Sequence, residues 1–202
     1  MNRVFLLPFL TKLRSLLGKL PESLQIQPNL APVPRNCCVL RLARLPKDYA
    51  EKRNILAIQL NAEFELSSKD KESVPPHLSV WAEFLTTPKQ AYGFLQENAP
   101  NSPRKLIILL KVNEIIKIVG FSGDGRTHTD LLNVIWVHLF RNLDGKLVRD
   151  CRSGAEGHCG ITGLDEKFSL EGVTKQQAKL LRKDLRSKLA ELASKNHSLL
   201  DD

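Results

Sequence analysis

Four prolines at positions 21, 28, 32 and 34 decide how this chain can be divided. Proline fixes φ and carries no amide proton, so this density excludes a helix or a central strand across residues 21–35. The stretch reads as an extended Pro-rich linker. It sets off residues 1–20 as a separable arm. Downstream, residues 36–172 read as a globular body and residues 173–202 as a basic C-terminal helix with a tail.

Within the arm, Pro8 suits the first turn of a helix that runs to about Leu20. Phe9, Leu10, Leu13, Leu16, Leu17 and Leu20 then share one broad face, with Lys12, Ser15 and Lys19 on the other. Such a leucine face fits docking on the protein's own core or on a protein partner. Because no acid precedes Glu22, the same helix also fits lying on a membrane surface or acting as an organellar presequence. As a secretory signal it is poor: Pro8 interrupts the apolar cluster and no small-residue cleavage site follows. No segment supplies about eighteen uninterrupted apolar residues, so the expectation is a soluble, cytoplasmic protein.

Charge sharpens this division. Residues 1–35 carry Arg3, Lys12, Arg14, Lys19 and Arg35 against Glu22, a balance of +4. Residues 173–202 carry seven cations against Asp184, Glu191, Asp201 and Asp202, a balance of +3. The total of +8 leaves only +1 for everything between. Attraction to an acidic partner therefore belongs to the two ends. The hydrophobic fraction of 42% suffices for one well-filled core. An aromatic content of 6% argues against a surface dominated by base-stacking platforms.

The body reads as α+β, a mostly antiparallel sheet with one or two covering helices. Cys38–Leu45, Leu78–Trp81 and Gly157–Gly163 read as strands; Asn54–Leu60 reads as strand or helix. Ser67–Pro76 reads as a charged loop. Thr87-Pro88 opens a helix to about Asn98 with Ala91, Phe94 and Leu95 inward. Lys105–Val119 supplies two strands, or one strand and a short helix. Leu131–Phe140 is apolar on both faces and is expected to be a central strand, with His138 in the core. Asp144-Gly145 then signals a hairpin. Thr174 and Gln177 form a capping-box pattern ahead of a stripe of Ala178, Leu181, Leu185, Leu189 and Leu192.

On that last helix Lys175, Lys179, Arg182, Lys183 and Arg186 recur at three- and four-residue spacing, and are expected on one exposed face opposite the leucines. A row of cations on a rod can follow a phosphate backbone, and lysines favour point-charge attraction over bidentate base reading. Nucleic acid bound this way would be recognised without strong sequence preference.

The most enzyme-like stretch runs from Cys151 to Gly160 and contains His158 and Cys159. A thiolate beside an imidazole is an activated nucleophile. Neighbours on a strand face opposite ways, however, so His158 is badly placed to deprotonate Cys159, and only Cys151 could approach it from an adjoining strand. Cys37 and Cys38 are separated by the same geometry, and all four cysteines are expected as reduced thiols. The spacing of Cys151, His158, Cys159 and His128 fits no zinc knuckle, and no cofactor motif occurs. The glycine-rich run Gly120–His128 reads as a flexible connection, or as a cradle presenting amides and Arg126 to an anion. Glu63 with Glu65 would share a strand face, without a cleft around them.

Leu78-Ser-Val-Trp81, Leu85-Thr-Thr-Pro88 and Gly157-His158-Cys-Gly-Ile161-Thr-Gly163, in that order, resemble a group of short bacterial proteins with no established activity. The resemblance covers about residues 36–165, implies a bacterial cytosolic protein, and carries over no catalytic residue; His158 is the one matching position with a functional side chain. The expectation is thus a non-enzymatic binding or accessory protein. Its arm would engage a protein partner and its basic helix nucleic acid or another polyanion. The alternatives are a small hydrolase or transferase using Cys151 or Cys159 with His158, and a peripheral membrane protein held by the N-terminal helix.

Overall fold

A computed structural model of the chain describes residues 31–46, 55–73, 75–98, 104–137, 139–141, 147–149, 157–165 and 170–200. The strands are β1 (Cys38–Ala43), β2 (Leu78–Ala82), β3 (Leu106–Lys111), β4 (Gly120–Phe121), β5 (Thr127–His128), β6 (Asn133–Trp136), β7 (Leu139–Arg141), β8 (Leu147–Arg149), β9 (His158–Thr162) and β10 (His197–Leu199). The helices are α1 (Ala57–Leu60), α2 (Ser68–Glu72), α3 (Pro88–Asn98), α4 (Val112–Ile116) and α5 (Lys175–Lys195), with a 3-10 turn at Asn61–Phe64 after α1. Six strands form one antiparallel sheet in the order β10-β3-β1-β2-β9-β6. The fold is α+β.

Strand alternation builds both faces of this sheet. Val39, Ala43, Leu78, Val80, Leu106, Ile108, Leu110, Val134, Cys159 and Ile161 point to the first face, where Leu181, Leu185, Leu189, Ala190 and Ala193 of α5 complete the main core. Leu40, Leu42 and Trp81 point to the second face and are covered by Ala91 and Phe94 of α3. Each fully buried leucine of α5 contributes about 2 kcal/mol through the apolar area it removes from water.

Both long helices begin as their sequences predict. Thr174 Oγ1 accepts from the Gln177 amide at 3.3 Å and Gln177 Oε1 from the Thr174 amide at 2.8 Å. Thr87 and Gln90 make the same reciprocal pair ahead of Pro88. The strand-or-helix alternative at residues 54–60 resolves as helix, and Lys105–Val119 as one strand followed by a short helix. Residues 67–76 include a short helix, α2, where Ser67 caps onto Asp70.

The expectation of a central strand at Leu131–Phe140 is corrected: β6 stands at the end of the sheet order and stops at Trp136. Its open edge is occupied by the end of the Pro-rich stretch. Val33 donates to the Val134 carbonyl at 2.8 Å and Trp136 to the Ala31 carbonyl at 3.0 Å, with Pro32 opposite Ile135. Proline tolerates this place because an edge position needs no amide from it. Val134 and Trp136 are buried on one face and Ile135 and Val137 on the other, which makes the strand look central in sequence. His138 lies outside the described residues. β7 and β8 pair antiparallel, with Phe140 opposite Val148, in keeping with the hairpin expected there.

The C-terminal tail returns to the sheet. After Asn196, β10 adds to β3, and Asn196 O accepts from the Leu109 amide at 2.9 Å. The basic helix is therefore tied to the body at its core face and through the strand that follows it.

Candidate functional site

α5 offers the largest concentration of charge in the described residues. Its sequence holds Lys175, Lys179, Arg182, Lys183, Arg186, Lys188 and Lys195 against Asp184 and Glu191, seven against two, or +5. Lys175, Lys179 and Lys183 are exposed. Spaced by four residues, they follow one line along the helix with a rise of about 6 Å between neighbours. Among the described residues none of the three makes an ion pair.

The two arginines of the expected five-cation face behave differently. Arg182 and Arg186 are half-buried, and Arg186 Nη1 reaches Glu65 Oε1 at 3.0 Å. They flank the leucine stripe instead of opposing it, because α1 and the 3-10 turn pack against the C-terminal half of α5; Asn61 Nδ2 approaches Ser187 Oγ there at 3.5 Å. Of the five, the exposed cations are the three lysines of the N-terminal half. The acid nearest to them in sequence, Asp184, is already engaged: its Oδ2 accepts from Lys188 Nζ at 2.7 Å and from the Phe121 amide at 2.8 Å.

The glycine-rich run is folded against this helix. β4 and β5 form a small hairpin whose turn needs glycine twice, at Gly123 with φ +82° and Gly125 with φ +85°. A Cβ on Gly120 would stand 2.4 Å from a Leu181 methyl, so the hairpin seats directly on α5. Lys188 Nζ donates to the Val119 carbonyl and Gln177 Nε2 to Asp124 Oδ2, at 2.7 and 2.8 Å. The flexible connection expected here is thus a clamped hairpin. Arg126 pairs with Asp124 at 3.5 Å.

Sequence reasoning passed over the polar knot inside that hairpin. Buried Ser122 donates to Asp124 Oδ1, and His128 Nε2 lies 3.0 Å from Ser122 Oγ. The Ser122 hydrogen bond holds the Asp124 carboxyl below the usual carboxylate range. The serine proton points at the carboxylate and the hydroxyl is closed to solvent, so this arrangement locks the turn and does not prime a nucleophile. Only the Ser-x-Asp-x-Arg turn pattern signals it in sequence.

His158 and Cys159 lie on opposite faces of β9. The Cys159 thiol is fully buried on the first face and donates to the Gly157 carbonyl at 3.2 Å; burial pushes its pKa upward. His158 projects to the second face, stacked on Trp81 at 5.6 Å, with Phe94 at 5.8 Å and the His77 ring edge-on at 6.0 Å. These two residues form no thiolate–imidazole pair. Cys151 lies outside the described residues, as do Phe9, Leu10, Leu13, Leu16, Leu17 and Leu20 of the arm. Cys37, Cys38 and Cys159 are free thiols.

His77 was not singled out in sequence. Its ring lies over Gly160, where a Cβ would stand 2.5 Å from the imidazole, and its Nδ1 donates to the Pro75 carbonyl at 2.9 Å. The three segments behind the resemblance meet at this place: β2 pairs with β9, and Thr86 packs on Gly157, where a Cβ would stand 2.1 Å from its hydroxyl.

Glu63 and Glu65 do not share a strand face, since residues 61–64 form a 3-10 turn. Glu63 is buried and paired with Arg44 at 2.7 Å, while Glu65 faces solvent toward Arg186. Behind Glu63, buried Arg41 donates to the Glu63 and Ser79 carbonyls. The β1–β2 ladder stops at Leu40–Trp81, so this guanidinium satisfies a carbonyl that strand pairing leaves open. Burial, with Arg104 close by, lowers the Arg41 pKa to about 10.

Among the described residues no group of three or more His, Cys, Asp or Glu side chains could hold a metal ion, and no helix is long and apolar enough to cross a membrane. The chain matches no family model, no curated protein and no solved structure.

Proposed function

We propose that this chain is a non-enzymatic accessory protein that binds a polyanion, nucleic acid or another acidic surface, through the N-terminal half of α5. One observation carries the reading: Lys175, Lys179 and Lys183 are exposed, aligned, and without an acid partner among the described residues. Exposed lysines are commonly solvated and nothing more. Here the nearest acid is committed to Lys188 and to a backbone amide, which leaves the positive field of the row intact. The leucine-rich segment of residues 9–20 would engage a protein partner, joining two binding activities in one chain.

The test is binding of the full chain to a labelled duplex across a salt series. Three released counterions predict a log–log slope of about −3. Lys175→Glu, Lys179→Glu and Lys183→Glu together should abolish binding and leave the circular dichroism spectrum unchanged. Arg186→Ala should matter less, because its charge is held by Glu65. Binding that survives the triple substitution sinks the proposal.

A further inference from the structure

Resting on that reading, we propose that the acidic surface is an anionic lipid bilayer, docked along the seam between α5 and the β4–β5 hairpin. Three apolar side chains stand open on this seam: Val119 at 37%, Phe121 at 42% and Leu180 at 45% exposure. Val119 and Phe121 are two residues apart in the chain, and the Phe121 amide is held by Asp184, one turn of α5 beyond Leu180. The hairpin runs beside α5, held at Gln177, Asp184 and Lys188, and a Leu180 methyl would lie 2.9 Å from a Cβ on Gly123, two residues beyond Phe121. On the helix, Leu180 follows Lys179 directly and precedes Lys183 by about one turn. An apolar strip thus adjoins the lysine row on one side of the molecule.

Two chemistries side by side select the partner. Phosphates of either nucleic acid or lipid would answer the lysines. Val119 and Leu180, however, find no counterpart on a sugar–phosphate backbone, whereas a bilayer presents acyl chain beneath its headgroups. Lysine near an anionic bilayer and apolar side chains inserted at the acyl boundary reinforce each other.

The experiment is co-sedimentation of the full chain with vesicles of phosphatidylcholine alone, and of phosphatidylcholine with phosphatidylglycerol, beside binding to a labelled oligonucleotide. Of the two vesicles, only the anionic one should bind the chain. Reversing each lysine should weaken it about fivefold or more. Phe121→Ser with Leu180→Ser should lower vesicle binding at least tenfold while leaving any oligonucleotide binding unchanged; both side chains are exposed, and Leu180→Gln alone serves as a second, milder variant. Vesicle binding indifferent to Phe121 and Leu180 overturns the inference. Lysine-dependent oligonucleotide binding without vesicle binding also overturns it, yet leaves the polyanion reading standing. Binding to neither defeats both.

Discussion

The Cys159 thiol sits beneath the sheet with its proton given to the Gly157 carbonyl, in a place where an ionised sulfur would have no solvation. Its pKa is raised above the ordinary 9.0, so the folded state holds this proton more tightly than the unfolded state does. The contribution to stability is complete below 9.0 and is lost as pH rises beyond it, at about 1.4 kcal/mol per pH unit. Urea denaturation at rising alkaline pH should therefore show a steeper decline for the natural protein than for Cys159→Ala; equal slopes would refute the assignment. Native-state labelling should also reach the half-buried Cys37 and Cys38 well before Cys159. Glycine matters at this scale too. Gly120 and Gly160 permit contacts with Leu181 and His77 that any Cβ would prevent, and neither contact is visible in sequence because each partner is remote along the chain.

Among the elements, α5 was the most legible, since its cap and its stripe both follow from local rules that no tertiary contact opposes. Thr174→Ala removes an acceptor from the Gln177 amide and should cost about 1 kcal/mol in chemical denaturation, with the lysine row still functional. No measurable loss would mean that the first turn is held by packing alone. The division of its cations was not legible. Helical spacing places Arg182 and Arg186 near the lysines, but the packing of α1 and the 3-10 turn settles which of the five face open water. β6 misled for a related reason, since periodicity reports that both faces are covered and not what covers the edge.

For the whole molecule, the sheet order places β1, β2 and β9 in the interior, under α5 on one face and α3 on the other. Amide exchange should be slowest in these strands and faster in three-residue β10, which pairs on one side only. Fast exchange in β1 would contradict the sheet order. The sequence by itself determined the α+β class, the caps of the two long helices, the opposed faces of His158 and Cys159, and the surplus of charge in the last helix. Each is a property of spacing along one segment. Only the tertiary structure decided that Ala31–Val33 closes the β6 edge, that the glycine-rich run is a hairpin seated on α5, and that Phe121 is held by its amide to Asp184, one turn from Leu180. Those facts join segments far apart in sequence, and the packing that joins them is recorded in no local pattern.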